Sequence, residues 1–217
     1  LHKVVKVCGT DTLIHLVSGI DKRIHSLKIQ KRSEGEFGKT TIHQFVLSGS
    51  GRLAEEPAVR TRHIEFIGNS LTCGYGTDGK HRDEPFLVET ENCNLTFASM
   101  VARYYDADYT LIAHSGRGAA RNYGDSVRVS KVTMKDRMLN TFDEDLTHKW
   151  NFKGYLPDLV VINLGSNDFS TEPHPYKSEF TKAYKQILAQ LREHYGDIPI
   201  LCIYPVAIQA PVFSYYE

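Results

Sequence analysis

The tightest constraint on this chain is a change of hydrophobic rhythm at Ile64. From there on, short and almost wholly apolar runs alternate with stretches of helical periodicity, as in a sheet built from β-α-β units. Strands are predicted at Ile64–Ile67, Tyr109–Ala113, Leu159–Leu164 and Ile198–Tyr204. Parallel strands covered on both faces are apolar throughout rather than alternating, and these runs fit that description. Two helices are predicted between them. Phe97, Met100, Val101 and Tyr104 follow the i, i+3, i+4, i+7 spacing, and Phe180, Ala183, Tyr184, Ile187, Leu188 and Leu191 form one apolar stripe that stops before Gly196. Core packing accounts for these aromatics without a ligand. The class is α/β.

Residues 1–57 have a different rhythm. Alternating runs at Lys3–Cys8, Thr12–Val17, Ile24–Ile29 and Thr41–Leu47, broken by Gly, Ser and Asp, predict β-strands spaced like those of a sandwich. The stretch is short for a closed sandwich, so an incomplete one is expected. A polar passage from Ser48 to Arg62 containing Pro57 separates the halves and divides the chain into 1–57 and 58–217.

Composition narrows the function classes. The 217 residues carry 26 Lys+Arg against 26 Asp+Glu and are 41% hydrophobic. That balance disfavours a dedicated nucleic-acid binder or a polybasic membrane anchor. No apolar run approaches the roughly 20 residues that cross a bilayer. Cys8, Cys73, Cys93 and Cys202 form no C-x-x-C pair, which disfavours a structural zinc site or a disulfide scaffold. The start at Leu1-His2-Lys3-Val4, without Met or a signal-peptide layout, predicts a trimmed or processed segment.

In an open parallel sheet, ligands bind beyond the carboxyl ends of the strands. Three of the predicted strands end there in polar, glycine-containing loops: Gly68-Asn69-Ser70-Leu71-Thr72, Ser115-Gly116-Arg117-Gly118 and Gly165-Ser166-Asn167-Asp168. Ser70, Gly116 and Asn167 each lie three positions past a strand end (70−67, 116−113, 167−164), at one rim of the sheet. A serine on a tight turn is a nucleophile if a base takes its proton. A glycine N–H and an asparagine amide are suitable donors for the oxyanion of acyl transfer. Each loop also has a plainer reading. Ser70 fits a helix N-cap, Ser115–Gly118 fits a phosphate nest, Arg117 fits a solvated or substrate-facing side chain, and Asp168 fits a capping turn as well as a functional role. The phosphate reading is weaker, because neither a P-loop Lys-Ser/Thr nor a Gly-x-Gly-x-x-Gly is present.

In this order and on these elements, the three blocks resemble the SGNH (GDSL-like) hydrolase superfamily, and more closely carbohydrate esterase family 2. The strings that carry the likeness are Ile24-His25-Ser26-Leu27-Lys28-Ile29-Gln30-Lys31-Arg32-Ser33-Glu34-Gly35, Ile64-Glu65-Phe66-Ile67-Gly68-Asn69-Ser70-Leu71-Thr72-Cys73-Gly74-Tyr75-Gly76, Ser115–Gly118 and Leu164–Phe169. The resemblance implies a three-layer α/β/α, flavodoxin-like hydrolase domain preceded by a small jelly-roll-like β-sandwich. It also implies that Ser70 is the nucleophile and that the Ser70 and Gly116 N–H groups and the Asn167 side chain form the oxyanion hole, with Gly118 as the competing second donor. The implied substrates are O-acetyl groups on plant polysaccharides or oligosaccharides such as xylan or mannan, hydrolysed by an acyl-enzyme route with no metal or cofactor, outside the cytoplasm in a secreted or periplasmic setting. A lipase or thioesterase of the superfamily shares the blocks but usually begins at its nucleophile strand. A carbohydrate-binding module without catalysis is a further alternative, with Tyr75, Phe169 and Tyr176 as candidate sugar-stacking rings.

Two departures from the family pattern stand out. The usual Asp before the nucleophile is Asn69, which loses a charge but keeps a side chain able to brace the turn. The family's base is a His in the last loop of the domain, yet only 13 residues (217−204) follow Tyr204, so little esterase activity is expected of these 217 residues alone. His114 and His174 lie near the crevice, and for both the plainer reading is a solvated or hydrogen-bonded loop residue.

Overall fold

In the computed structural model, which describes residues 2–9, 11–21, 23–55, 58–206, 208 and 212–216, contacts divide the chain into two units. One consists of residues 1–31 and 39–58, the other of Arg32–Gly38 together with residues 59–217.

The second unit is built on a parallel sheet. Strand β1 (His63–Gly68) is central, paired with β2 (Asp108–Ala113) on one side and β5 (Leu159–Ile162) on the other, and β6 (Ile200–Cys202) lies beyond β5. The order is therefore β2-β1-β5-β6, with Phe66 opposite both Leu111 and Val161. Alternation along β1 sends side chains to two cores. Ile64 and Phe66 pack with Ala98 and Ala102 of helix α2 (Phe97–Tyr104), while Ile67 packs with Phe180, Ala183, Ile187 and Leu191 of helix α4 (Lys177–Tyr195). A helix thus covers each face of β1 and β5, which is why those two read as unbroken apolar runs, while β6 leaves Leu201 exposed. The apolar stripe predicted for α2 is not its buried face: Ala98, Ser99 and Ala102 meet the core, and Met100, Val101 and Tyr104 are exposed because the small side chains let the helix lie close on the sheet. Helix α4 ends at Gly196, whose φ of 69° is a left-handed conformation that favours glycine.

Several elements were not legible as such. A hairpin of β3 (Asn140–Phe142) and β4 (Asp145–Lys149) is largely exposed and lacks an apolar face, so no hydrophobic period marks it. Two helices of one turn, α1 (Ser70–Cys73) and α3 (Met134–Arg137), are too short to show a period.

The first unit departs from expectation. The strands predicted at Lys3–Cys8, Thr12–Val17, Ile24–Ile29 and Thr41–Leu47 are not formed: among the described residues of 1–58 no strand is present. A strand persists only where a neighbour takes its backbone hydrogen bonds and a facing layer covers its apolar side. Here Leu13 and Ile24 are 87% and 85% exposed, so the alternation has nothing to bury against. Residues 32–38, which the division at residue 57 assigned to the first half, belong to the sheet unit.

Candidate active site

The sheet reverses its winding at β1. After β1 the chain moves to β2 on one side, and after β2 it crosses to β5 on the other, so the crevice of this topology opens at the carboxyl end of β1. Gly68 ends β1 there. A Cβ on Gly68 would lie 2.0 Å from Thr72 Oγ1, so only glycine admits this tight strand-to-helix turn.

Asn69 follows, fully buried, and is the N-cap of α1: its Oδ1 accepts from the Leu71 N–H at 3.2 Å, and its backbone carbonyl accepts from Thr72 and Cys73 at 2.8 and 2.9 Å. The capping alternative for Ser70 is therefore settled, because the neighbour caps the helix. Ser70 is the first residue of α1, partly exposed, and its hydroxyl has no hydrogen-bond partner among the described residues. Asn69 also performs the bracing expected of it, since its Nδ2 donates to Ser166 Oγ of the third loop at 2.9 Å.

The second loop turns at Gly116, whose φ of 74° lies in the left-handed region and whose Cβ position faces open space apart from Tyr123 Cβ at 4.0 Å. Its carbonyl accepts from the Tyr123 N–H at 2.8 Å. Gly118 differs. Its N–H donates inward to Asn122 Oδ1 at 3.4 Å, and a Cβ there would sit 2.1 Å from the Arg121 carbonyl.

The third loop grips the second. Asn167 Nδ2 donates to the Arg117 carbonyl at 2.8 Å, leaving its other N–H uncommitted by that bond. Asp168 is wholly buried and accepts three backbone N–H groups in a row, from Ala119 at 3.0 Å, Ala120 at 2.7 Å and Arg121 at 2.9 Å. Burial holds the Asp168 carboxyl above its usual range, only partly opposed by the amide donors. This residue is the clamp of the second loop, a long-range role that is not the local capping turn weighed for it. Arg121, also wholly buried, spans the same loop through bonds to Asp125, Val127, Thr171 and Glu172. Neither role has a local sequence signal, because each partner is far along the chain or lies in a loop without period.

The histidines weighed as bases are engaged elsewhere. His114 is 2% exposed, with Nδ1 bonded to Asp143 and Nε2 3.7 Å from Glu36. Burial acts upward on Asp143, but His114 and Arg137 outweigh it and hold that carboxyl below its usual range. His174 pairs with Glu172 at 3.4 Å. Among the described residues no histidine is hydrogen-bonded to Ser70. Glu34, Glu36 and His114 bring three potential metal-ligand atoms within 4.8 Å of one another, but Glu34 and His114 already have protein partners. Of the candidate stacking rings, Phe169 is packed against Phe180 at 5.0 Å and Tyr215 at 5.7 Å, so core packing accounts for it. Tyr75 stacks on Phe86 at 3.6 Å and stays half exposed, and Tyr176 lies under Arg128.

Known proteins are similar to this chain in sequence and fold. The chain is 37% identical over 196 residues to the cellulase/esterase CelE of Acetivibrio thermocellus, an alignment covering 90% of this chain and 23% of that protein. It is 36% identical over 150 residues to an acetylxylan esterase / glucomannan deacetylase of Cellvibrio japonicus, covering 68% of this chain and 40% of that one. A solved family two carbohydrate esterase from Clostridium thermocellum, in complex with cellohexaose, superposes with a TM-score of 0.71 at 36% identity over 77% of this chain and 51% of its own. The chain thus spans about half or less of each of these relatives. Residues 66–216, a continuous stretch that takes in all three loops, match the GDSL-like Lipase/Acylhydrolase family, and the chain belongs to that family.

Proposed function

We propose that this chain is the hydrolase part of a family 2 carbohydrate esterase that removes O-acetyl groups from plant polysaccharides or oligosaccharides such as xylan or mannan. The observation that carries the reading is the bonding between loops: Asn69 to Ser166 joins the first to the third, and Asn167 to Arg117 with Asp168 to residues 119–121 joins the third to the second. A nucleophile and two oxyanion donors on separate strands need such ties to stay in register.

Ser70 Oγ attacks the acetyl carbonyl and passes its proton to an imidazole base. The negative charge on the carbonyl oxygen is met by the Ser70 and Gly116 N–H groups and the free Asn167 N–H. Collapse expels the sugar oxygen, which takes the proton back from the imidazolium, and water then cleaves the acetyl-serine. Gly116 is favoured over Gly118 as second donor because Gly118 already donates inward to Asn122. The base has no candidate in His114 or His174, and the family resemblance puts it in the last loop of the domain. Such substrates are met outside the cytoplasm, so the proposed setting is secreted or periplasmic. The small β-sandwich implied by residues 1–57 is part of the same proposal, with further strands of that module supplying the missing partners.

The test is acetate release from acetylated xylan and glucomannan by the full natural chain carrying these residues, beside 4-nitrophenyl acetate and longer acyl esters. Preference for acetyl is expected, and Asn167→Ala is expected to lower kcat by about 10²–10³. Preference for long acyl chains would point to a lipase or thioesterase. Polysaccharide binding with no acetate release would leave a binding module, a reading favoured only by the half-exposed Tyr75.

A further inference from the structure

Residues 32–38 precede β1 in sequence yet are fastened into the sheet unit. The Arg32 carbonyl accepts from the Cys93 N–H at 3.2 Å, Arg32 reaches Asp78 and the Glu91 carbonyl, and the Glu34 N–H donates to Glu91 Oε2 at 3.0 Å. Held in this way, Glu34 is 7% exposed, and one of its carboxylate oxygens, Oε2, accepts from two places at once. The Ser115 N–H donates to it at 2.6 Å across 81 positions of sequence, and Cys73 Sγ donates to it at 3.4 Å across 39. Burial, followed by the Glu34 charge, pushes the Cys73 thiol up, so Cys73 stays a protonated donor.

Both partners adjoin the chemistry. Ser115 immediately precedes Gly116, and Cys73 is the last residue of the four-residue helix that Ser70 begins. We infer that Glu34 is a positioning residue for the hydrolytic reaction: its carboxylate ties the helix of the nucleophile to the turn that presents the Gly116 N–H. This rests on the assignment of Ser70 and Gly116 made above. The Ser115 amide is fixed by Glu34 and the Gly116 carbonyl by the Tyr123 N–H, so the peptide that carries the Gly116 N–H is anchored on both sides. The first loop is thereby joined to the second, which closes the set of ties among the three loops. A misplacement of about 1 Å in such a donor costs up to about 100-fold in rate.

The experiment uses the full natural chain as wild type, Glu34→Ala and Glu34→Gln, with kcat and KM on 4-nitrophenyl acetate, thermal midpoints, and amide hydrogen exchange at Ser115. Alanine removes the acceptor, whereas the glutamine oxygen still accepts from Ser115. Glu34→Ala is expected to lower kcat about tenfold or more at nearly unchanged KM, with Glu34→Gln restoring most of it and Ser115 exchanging faster in the alanine variant only. Unchanged kcat in Glu34→Ala, or losses in both variants that merely follow the thermal midpoint, would overturn the inference. If the wild type releases no acetate, the esterase reading fails. The tie is then judged on Ser115 exchange alone, and equal protection in wild type and Glu34→Ala refutes it.

Discussion

Removing the Asp168 clamp gives a prediction whose size follows from its bonds. Its carboxylate accepts from Ala119 through Oδ2 and from Ala120 and Arg121 through Oδ1, all three amides being buried. Asp168→Ala strands three donors, and a buried donor left without an acceptor costs about 1–3 kcal/mol. Against that, removing the carboxylate recovers the burial penalty that pushes its pKa upward. A net destabilisation of about 3–5 kcal/mol is expected, a large share of the roughly 5–15 kcal/mol that holds a domain together. Asp168→Asn keeps one acceptor. With its oxygen at the Oδ1 position it still serves Ala120 and Arg121, and only Ala119 faces a donor, so about 1–2 kcal/mol is expected. The assay is urea unfolding at neutral pH, comparing midpoints at constant m-value. Equal losses in the two variants, or losses below about 0.5 kcal/mol in both, would refute the reasoning, since surface-like tolerance is incompatible with three buried bonds.

Two further predictions concern stability. Glu65 on β1 is 2% exposed, accepts from Tyr195 Oη at 2.8 Å, and is pushed by burial up to about 7 from an ordinary 4.5. A raised folded-state value means that its contribution is fully present below about pH 4.5 and is lost as pH rises through 7, by about 3 kcal/mol in all. Denaturant titrations should therefore show Glu65→Gln flattening the fall in stability between those pH values, and an unchanged slope would count against the assignment. Gly118→Ala forces a Cβ to 2.1 Å from the Arg121 carbonyl and 2.4 Å from Asp168 Oδ2, so it should unfold or badly destabilise the chain. Gly116→Ala has room and should cost only about 1–2 kcal/mol for its positive φ, and similar midpoints for the two would contradict the account.

The sheet was legible where burial is two-sided. β1 and β5 fall on predicted runs and α4 buries its predicted stripe, because an element covered by a core shows its period in its own residues, whereas α2 forms where predicted but buries Ala98, Ser99 and Ala102 and leaves Met100, Val101 and Tyr104 exposed. The hairpin at residues 140–149 was invisible for the converse reason, as its side chains face water. In residues 1–58 the alternation is present but its partners are not, and a period alone cannot supply the neighbouring strand. The places of Ser70, Gly116 and Asn167 in the loops past β1, β2 and β5 were legible because those strands carry their own period. Glu34 was not, since its role depends on a bond to Ser115 that no local spacing encodes. The clamp made by Asp168 was not legible, since its three amide donors lie 47 to 49 positions away in a loop without period.

The central claim is that Ser70 carries the acetyl group in turnover. Quenching the full natural chain during turnover of 4-nitrophenyl acetate and mapping its peptides by mass spectrometry tests this directly. One added acetyl group on the peptide containing Ser70 is predicted, with both adduct and acetate release abolished in Ser70→Ala. Sustained acetate release from Ser70→Ala, or turnover with Ser70 unmodified and the acetyl group on another residue, would contradict it.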